Sequence, residues 1–86
     1  MTQEDLTFFL QFFKALADES RLKILGLLAH REYSVSELAA FLNLKEPTVS
    51  HHLTKLKELE LVSMRTDGNT HFYQFNPGNR TTFPVV

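Results

Sequence analysis

The 86-residue chain has no cysteine, which excludes a disulfide framework and thiolate metal ligands. No apolar run approaches the ~20 residues of a membrane-spanning helix. The start, Met1-Thr2-Gln3-Glu4-Asp5, lacks the positive charge that opens a secretory signal. The expectation is a cytoplasmic protein. An excess of one charge is also missing: nine lysines and arginines face ten acids, for a net charge of −1. Composition alone therefore gives no electrostatic footprint for nucleic acid. There is no glycine-rich phosphate loop, no cysteine nucleophile and no cluster of catalytic groups, and the chain is small for an enclosed substrate pocket. No enzyme and no cofactor are expected. His51 and His52 are adjacent, so on a helix they point about 100° apart. His30 and His71 stand alone, and no pair has the i, i+4 spacing of a helical metal site.

What remains fits one ordinary folded domain, with 43% hydrophobic and 22% charged residues, and disorder is not expected. The charge is unevenly placed. Up to residue 20 the acids are Glu4, Asp5, Asp18 and Glu19, against Lys14 alone. From residue 45 onward Lys45, Lys55, Lys57, Arg65 and Arg80 slightly outnumber the acids, and three of the four histidines lie there.

Thr2 with Asp5 three residues later forms a capping box for a first helix. Leu6, Phe9, Phe13 and Leu16 make one apolar row at helical spacing, and Phe8 and Phe12 a second on another face. Either both rows are buried within the chain, or one meets a partner subunit. Phe8 and Phe12 are the candidate dimer residues. Asp18 caps a second helix over residues 19 to about 30, with Leu22, Leu25 and Leu28 on one face and Ile24 and Leu27 beside it.

Ser34 with Glu37 is a full capping box for a third helix, and Asn43 suits the left-handed residue that ends it. Leu38, Phe41 and Leu42 are expected to face inward, with Ala39 and Ala40 permitting close helix approach. After a short break, Pro47 opens a fourth helix, where its missing N–H costs nothing. Val49, Leu53, Leu56 and Leu59 form its inward stripe. Two helices joined by so short a turn suggest a helix-turn-helix. Two alternating segments follow, residues 61–66 and 70–75, joined through Asp67-Gly68-Asn69, a hairpin signal. Val62 and Met64 should face in with Tyr73 and Phe75, while Ser63, Arg65, Thr70 and Phe72 face out. The expected fold is mainly α with a β-hairpin wing, a winged helix-turn-helix ordered α-α-α-α-β-β, with a short strand near Tyr33 completing the wing sheet. It should occupy residues 1–76, with residues 77–86 a loose tail.

Base edges are read by short polar side chains near the start of a recognition helix, and phosphates by cations further along. Thr48, Ser50 and His51 meet the first demand, Lys55 and Lys57 the second. Arg65 and Asn69 in the hairpin can reach an adjacent minor groove or the backbone. The DNA-contacting candidates are Glu46, Thr48, Ser50, His51, Thr54, Lys55, Arg65 and Asn69. The partners expected are double-stranded DNA and a second copy of the chain. The rival reading is a protein-interaction winged helix that works through the aromatic first helix.

From residue 13 to residue 75 the chain resembles the arsenic-repressor (ArsR-type) family of small bacterial winged-helix transcription factors. The resemblance lies in Leu16-Ala17-Asp18-Glu19-Ser20-Arg21-Leu22-Lys23-Ile24-Leu25, Ser36-Glu37-Leu38-Ala39, Glu46-Pro47-Thr48-Val49-Ser50-His51-His52-Leu53 and the wing strand ending Phe72-Tyr73. It implies a repressor that binds operator DNA as a dimer and is often released by a signal. It places Thr48, Ser50 and His51 at base-reading positions and Lys55 toward phosphate. The third helix here lacks the cysteines of the family's metal and arsenic sensors, and no helical pattern follows the hairpin. Three readings stay open: a trimmed domain, the front of a longer regulator, or a dimer built on the first helix alone. Lys45 stands where a small cap residue is common, and Glu60 where a glycine usually ends the recognition helix.

Overall fold

The structure, a computed structural model, describes residues 1–76. The proposed tail, residues 77–86, lies outside the described residues. The elements are α1 (Gln3–Leu16), α2 (Glu19–Leu28), β1 (Tyr33–Ser34), α3 (Val35–Leu42), α4 (Glu46–Glu58), β2 (Val62–Asp67) and β3 (Thr70–Phe75).

Local chemistry sets the helix starts. Thr2 Oγ1 accepts from the Asp5 N–H at 3.1 Å, and Asp5 Oδ2 accepts from the Thr2 N–H at 3.0 Å. Asp18 Oδ1 accepts from the Arg21 N–H at 3.0 Å and opens α2. That bond, with weaker help from nearby positive charge, holds the Asp18 carboxyl below its usual range. Ser34 and Glu37 make the second capping box, at 3.1 and 2.9 Å. The Ser34 N–H, the largest influence on Glu37, likewise lowers its carboxyl.

The helix ends of the central motif are equally local. Asn43 adopts φ 56°. The Leu44 N–H reaches the Ala39 carbonyl at 3.0 Å and the Asn43 N–H that of Ala40 at 3.4 Å. This is a Schellman motif, which satisfies carbonyls that the helix leaves unpaired. Glu60 repeats it at the end of α4, with φ 59° and bonds from Leu61 to Leu56 and from Glu60 to Lys57 at 3.0 and 2.9 Å.

The main core joins α2, α3, α4 and the base of the wing. Ile24, Leu38, Val49, Leu53 and Leu56 are fully buried, with Leu28, Tyr33, Ala39 and Val62 around them. Each such large side chain, fully buried, contributes about 1.5–3 kcal/mol. A smaller cluster of Phe12, Ala15 and Leu59 seats α1 on the end of α4.

Two inward assignments and one on α1 are corrected. Phe41 is 69% exposed and Leu22 52%: in short helices the buried faces centre on Leu38 and Ala39, and on Ile24 and Leu28. On α1 the candidate dimer residue Phe12 is the buried one, and the row of Leu6, Phe9, Phe13 and Leu16 is split, with Leu16 packed against the Phe12 cluster. Phe12 is buried against Ala15 and Leu59, while Leu6, Leu10 and Phe13 stand out at 43, 58 and 64% exposure.

The sheet runs β1-β3-β2, all antiparallel. Tyr33 pairs with Tyr73 and Ser34 with Phe72, and β2 pairs with β3 from Val62↔Phe75 to Asp67↔Thr70. Gly68 has φ +63° at the turn, a conformation that glycine adopts without strain. The register pairs Val62 with Phe75 and Met64 with Tyr73 as expected, but the burial is corrected. Only Val62 is buried, and Met64 and Phe75 are more than a third exposed. Ser63 and Phe72, expected outward, are part-buried. The reason is that the wing projects beyond the core that anchors its base. Among the described residues no helix is long and apolar enough to cross a membrane.

Candidate nucleic-acid interface

The α3–α4 break leaves only Asn43, Leu44 and Lys45 between the helices. Lys45 takes the N-cap position of α4 without a side-chain capping bond, and Pro47 lies in the first turn. The stripe of Val49, Leu53 and Leu56 fixes α4 on the core. Thr48, Ser50, His51, Thr54 and Lys55 on its other faces are exposed, as is Glu46 at its start. The 13 residues of α4 span roughly 20 Å.

The candidate residues do not form a single cluster. Glu46 and Ser50 line a shallow groove of about 320 Å³ with Asn69 from the wing tip. Its floor includes Ser36, Thr70 and His71, which sequence reasoning left out. The signal for them was the short strand at Tyr33, because its pairing with β3 draws the start of α3 against the wing. Thr48 and His51 lie exposed on α4 outside that groove. The Thr54 hydroxyl donates to the Ser50 carbonyl at 2.9 Å, which leaves its lone pairs and methyl to the outside. Lys55 lies elsewhere, at a cleft between α1, α2 and α4, and pairs loosely with Glu58 at 3.9 Å.

Arg65 sits on the wing and is engaged within the chain. Its Nη2 donates to Glu32 Oε1 at 2.6 Å and its Nε to Oε2 at 3.3 Å. Asp67 lies 3.8 Å away, and the guanidinium lies 4.8 Å from the centre of the Phe72 ring. The Arg65 bonds lower the Glu32 carboxyl, and Glu32 in turn raises Arg65.

His52 does not face the groove. Its Nδ1 accepts from Arg21 Nε at 3.1 Å, which ties the middle of α4 to the start of α2. Burial is the main cause that lowers its pKa; Arg21 and His51 act the same way and Asp18 opposes them. Among the described residues no three histidine, aspartate or glutamate side chains converge as metal ligands.

Phe8 and Phe12, the candidate dimer pair, stack on each other at 6.0 Å between ring centres. Phe12 is only 8% exposed and belongs to the chain's own core. The apolar surface that α1 leaves open is the stripe of Leu6, Leu10 and Phe13, at i, i+4 and i+7.

A capped helix, a tight turn, a second helix with an exposed polar face and a hairpin beside it define a winged helix-turn-helix regulator. Residues 18–64 match the model of the bacterial regulatory protein, arsR family, and the chain belongs to that family. It is 46% identical over 63 residues to the arsenical resistance operon repressor of Staphylococcus aureus, covering 73% of this chain and 61% of the relative. The chain thus spans about three fifths of that relative's length. Among solved structures, HlyU from Vibrio cholerae superposes with a TM-score of 0.78 at 34% identity, covering 90% of this chain and 84% of HlyU. The homodimeric winged helix-turn-helix DNA-binding domain of Mb0332 from Mycobacterium bovis, a possible ArsR-family transcriptional regulator, superposes at 0.76 with 35% identity, covering 83% and 66%. The family is one of bacterial regulatory proteins, and the staphylococcal relative is a repressor.

Proposed function

We propose that residues 1–76 are the DNA-reading domain of a transcriptional repressor that acts as a homodimer in the cytoplasm, with no catalytic step. The observation that carries this reading is the exposed polar face of α4 beside a groove shared with the wing tip. The repressor role is supported by the staphylococcal relative's name, and the homodimer by the Mb0332 domain.

In this reading α4 enters the major groove. Thr48, Ser50 and His51 meet base edges there. A hydroxyl donates or accepts, the threonine methyl touches a thymine methyl, and an imidazole addresses guanine acceptors. Glu46, close to Ser50 and Asn69, suits a cytosine amino group, since a carboxylate only accepts. Lys55 meets a phosphate, and Asn69 follows the backbone or minor groove next to the wing. Thr54 shapes the helix surface between these contacts. Arg65, held by Glu32, chiefly positions the wing. Two copies joined along α1 through Leu6, Leu10 and Phe13 would read half-sites about 34 Å apart or a multiple of that.

A gel-shift titration at two salt concentrations tests the reading. Binding should weaken steeply with salt. Lys55→Ala should weaken it on every sequence, and His51→Ala should change preference among sequences. If neither substitution alters any DNA interaction, the reading fails.

A further inference from the structure

Three of the chain's nine lysines and arginines converge outside the α4–wing groove. Lys14 from the last turn of α1, Arg21 from the first turn of α2 and Lys55 from α4 line one open cleft of about 550 Å³, with Gln11 beside them. Its single acid is Glu58, held loosely by Lys55 at 3.9 Å. Asp18 beside Arg21 adds a second acid at the edge, so three cations still outnumber two carboxylates in a chain with net charge −1.

The cleft is also organised. The Arg21 backbone N–H bonds Asp18 and fixes the residue at the start of α2, and its side-chain Nε donates to His52 Nδ1 at 3.1 Å. That second bond alone anchors one edge of the guanidinium. Its two Nη groups make no hydrogen bond among the described residues. A guanidinium fork held in advance suits a tetrahedral oxyanion, and two lysines add point charges from other sides. The volume falls within the range of small-ligand sites. It admits a phosphate group with part of its carrier, and it is too narrow for a duplex to enter whole.

We propose that the cleft between α1, α2 and α4 is a phosphate-binding site, in which Lys14, Arg21 and Lys55 close on one phosphate group. Lys55 belongs both to this cleft and to the proposed DNA face, so that much of the inference rests on the DNA-reading function. An occupant draws Lys55 away from Glu58. The phosphate comes either from the backbone of bound DNA, at the rim of the groove that α4 enters, or from a free anion that competes with DNA for Lys55.

Two measurements on the intact chain test this, with Lys14→Ala as the perturbation. Lys23→Ala is the charge-matched control; Lys23 is exposed on α2 and pairs with Glu19 outside the cleft. The first measurement is titration with inorganic pyrophosphate, followed by NMR. Saturable shifts at Lys14, Arg21 and Lys55, lost in Lys14→Ala and kept in Lys23→Ala, establish a site for a free anion. The second is the salt dependence of duplex binding. A slope of log K against log salt about 0.9 shallower in Lys14→Ala alone establishes a DNA phosphate in the cleft. If the two variants behave alike in both measurements, the proposal is overturned while the DNA-reading function stands. Wild-type protein that binds no duplex even at low salt overturns that function instead, and pyrophosphate alone then decides the cleft.

Discussion

Two adjacent phenylalanines on α1 should respond in opposite ways to substitution. Phe12 is 8% exposed and packs on Ala15 and Leu59. It also meets the Phe8 and Phe13 rings at centroid distances of 6.0 and 5.5 Å. Truncating a core phenylalanine to alanine costs about 3–5 kcal/mol. The Phe12 cluster is small and lies at one end of the core, so the lower end of that range applies. A domain of this size holds roughly 4–13 kcal/mol in total, so Phe12→Ala should lower the thermal midpoint by more than about 10 °C. Phe13 is 64% exposed. An aromatic side chain carries about 150–250 Å², so roughly 130 Å² of it remains to be covered. At about 25 cal/mol per Å² a partner copy that covers this area gains about 3 kcal/mol from Phe13 alone. A charge placed there should therefore abolish the proposed dimer. Phe13→Asp should shift the mass seen by light scattering to that of one chain, with the midpoint of the monomer little changed. A dimer that survives Phe13→Asp, or one that Phe12→Ala dissolves without destabilising the fold, would refute this assignment of faces.

Three further outcomes are expected. The lowered His52 pKa means that the native state takes up its proton less readily than the unfolded chain. Its contribution to stability is complete above the ordinary value near 6.5 and is lost as pH falls from there through the lower native value. Calorimetry from about pH 7.5 to about pH 5.5 should show a falling midpoint, and His52→Gln, which cannot titrate, should flatten that profile. Glu60→Gly should raise stability by roughly 0.5–1 kcal/mol, since glycine holds φ near +60° without a Cβ clash; an unchanged urea midpoint would count against strain at this residue. Arg65→Ala should weaken duplex binding less than Lys55→Ala, because two carboxylates already offset the Arg65 charge; equal losses by fluorescence anisotropy would make Arg65 a direct DNA contact.

Features written within a few neighbouring residues were legible in the sequence. Both capping boxes, the left-handed Asn43 and the Asp67-Gly68 turn each need only local hydrogen bonds or a local φ, whereas Lys45 and Glu60 stood out only against the pattern of the family the chain resembles. The α4 stripe was legible because its apolar residues are few and evenly spaced. Faces were harder wherever apolar residues were abundant. α1 carries leucine or phenylalanine over more than half of its circumference, and periodicity alone cannot say whether Phe12 or Phe13 meets Leu59. Phe41 looked internal by spacing, yet it lies outside against Tyr33, 6.4 Å between ring centres. Contacts that depend on long-range assembly left no local trace. Glu32 and Arg65 are 33 residues apart and Arg21 and His52 are 31 apart.

The two-residue strand β1 has a consequence for how the domain meets a duplex. Ser34 is at once a rung of the sheet, opposite Phe72, and the cap of α3. An isolated hairpin is marginally stable in water, whereas this one is stitched to the first helix of the reading motif. Wing and recognition helix therefore work as the two arms of a caliper whose gap is set when the chain folds. The entropy of aligning them is lost at folding and is not charged again at contact. A duplex whose grooves do not match that gap must itself bend or twist, and the caliper thereby selects for deformability at base pairs that no side chain touches.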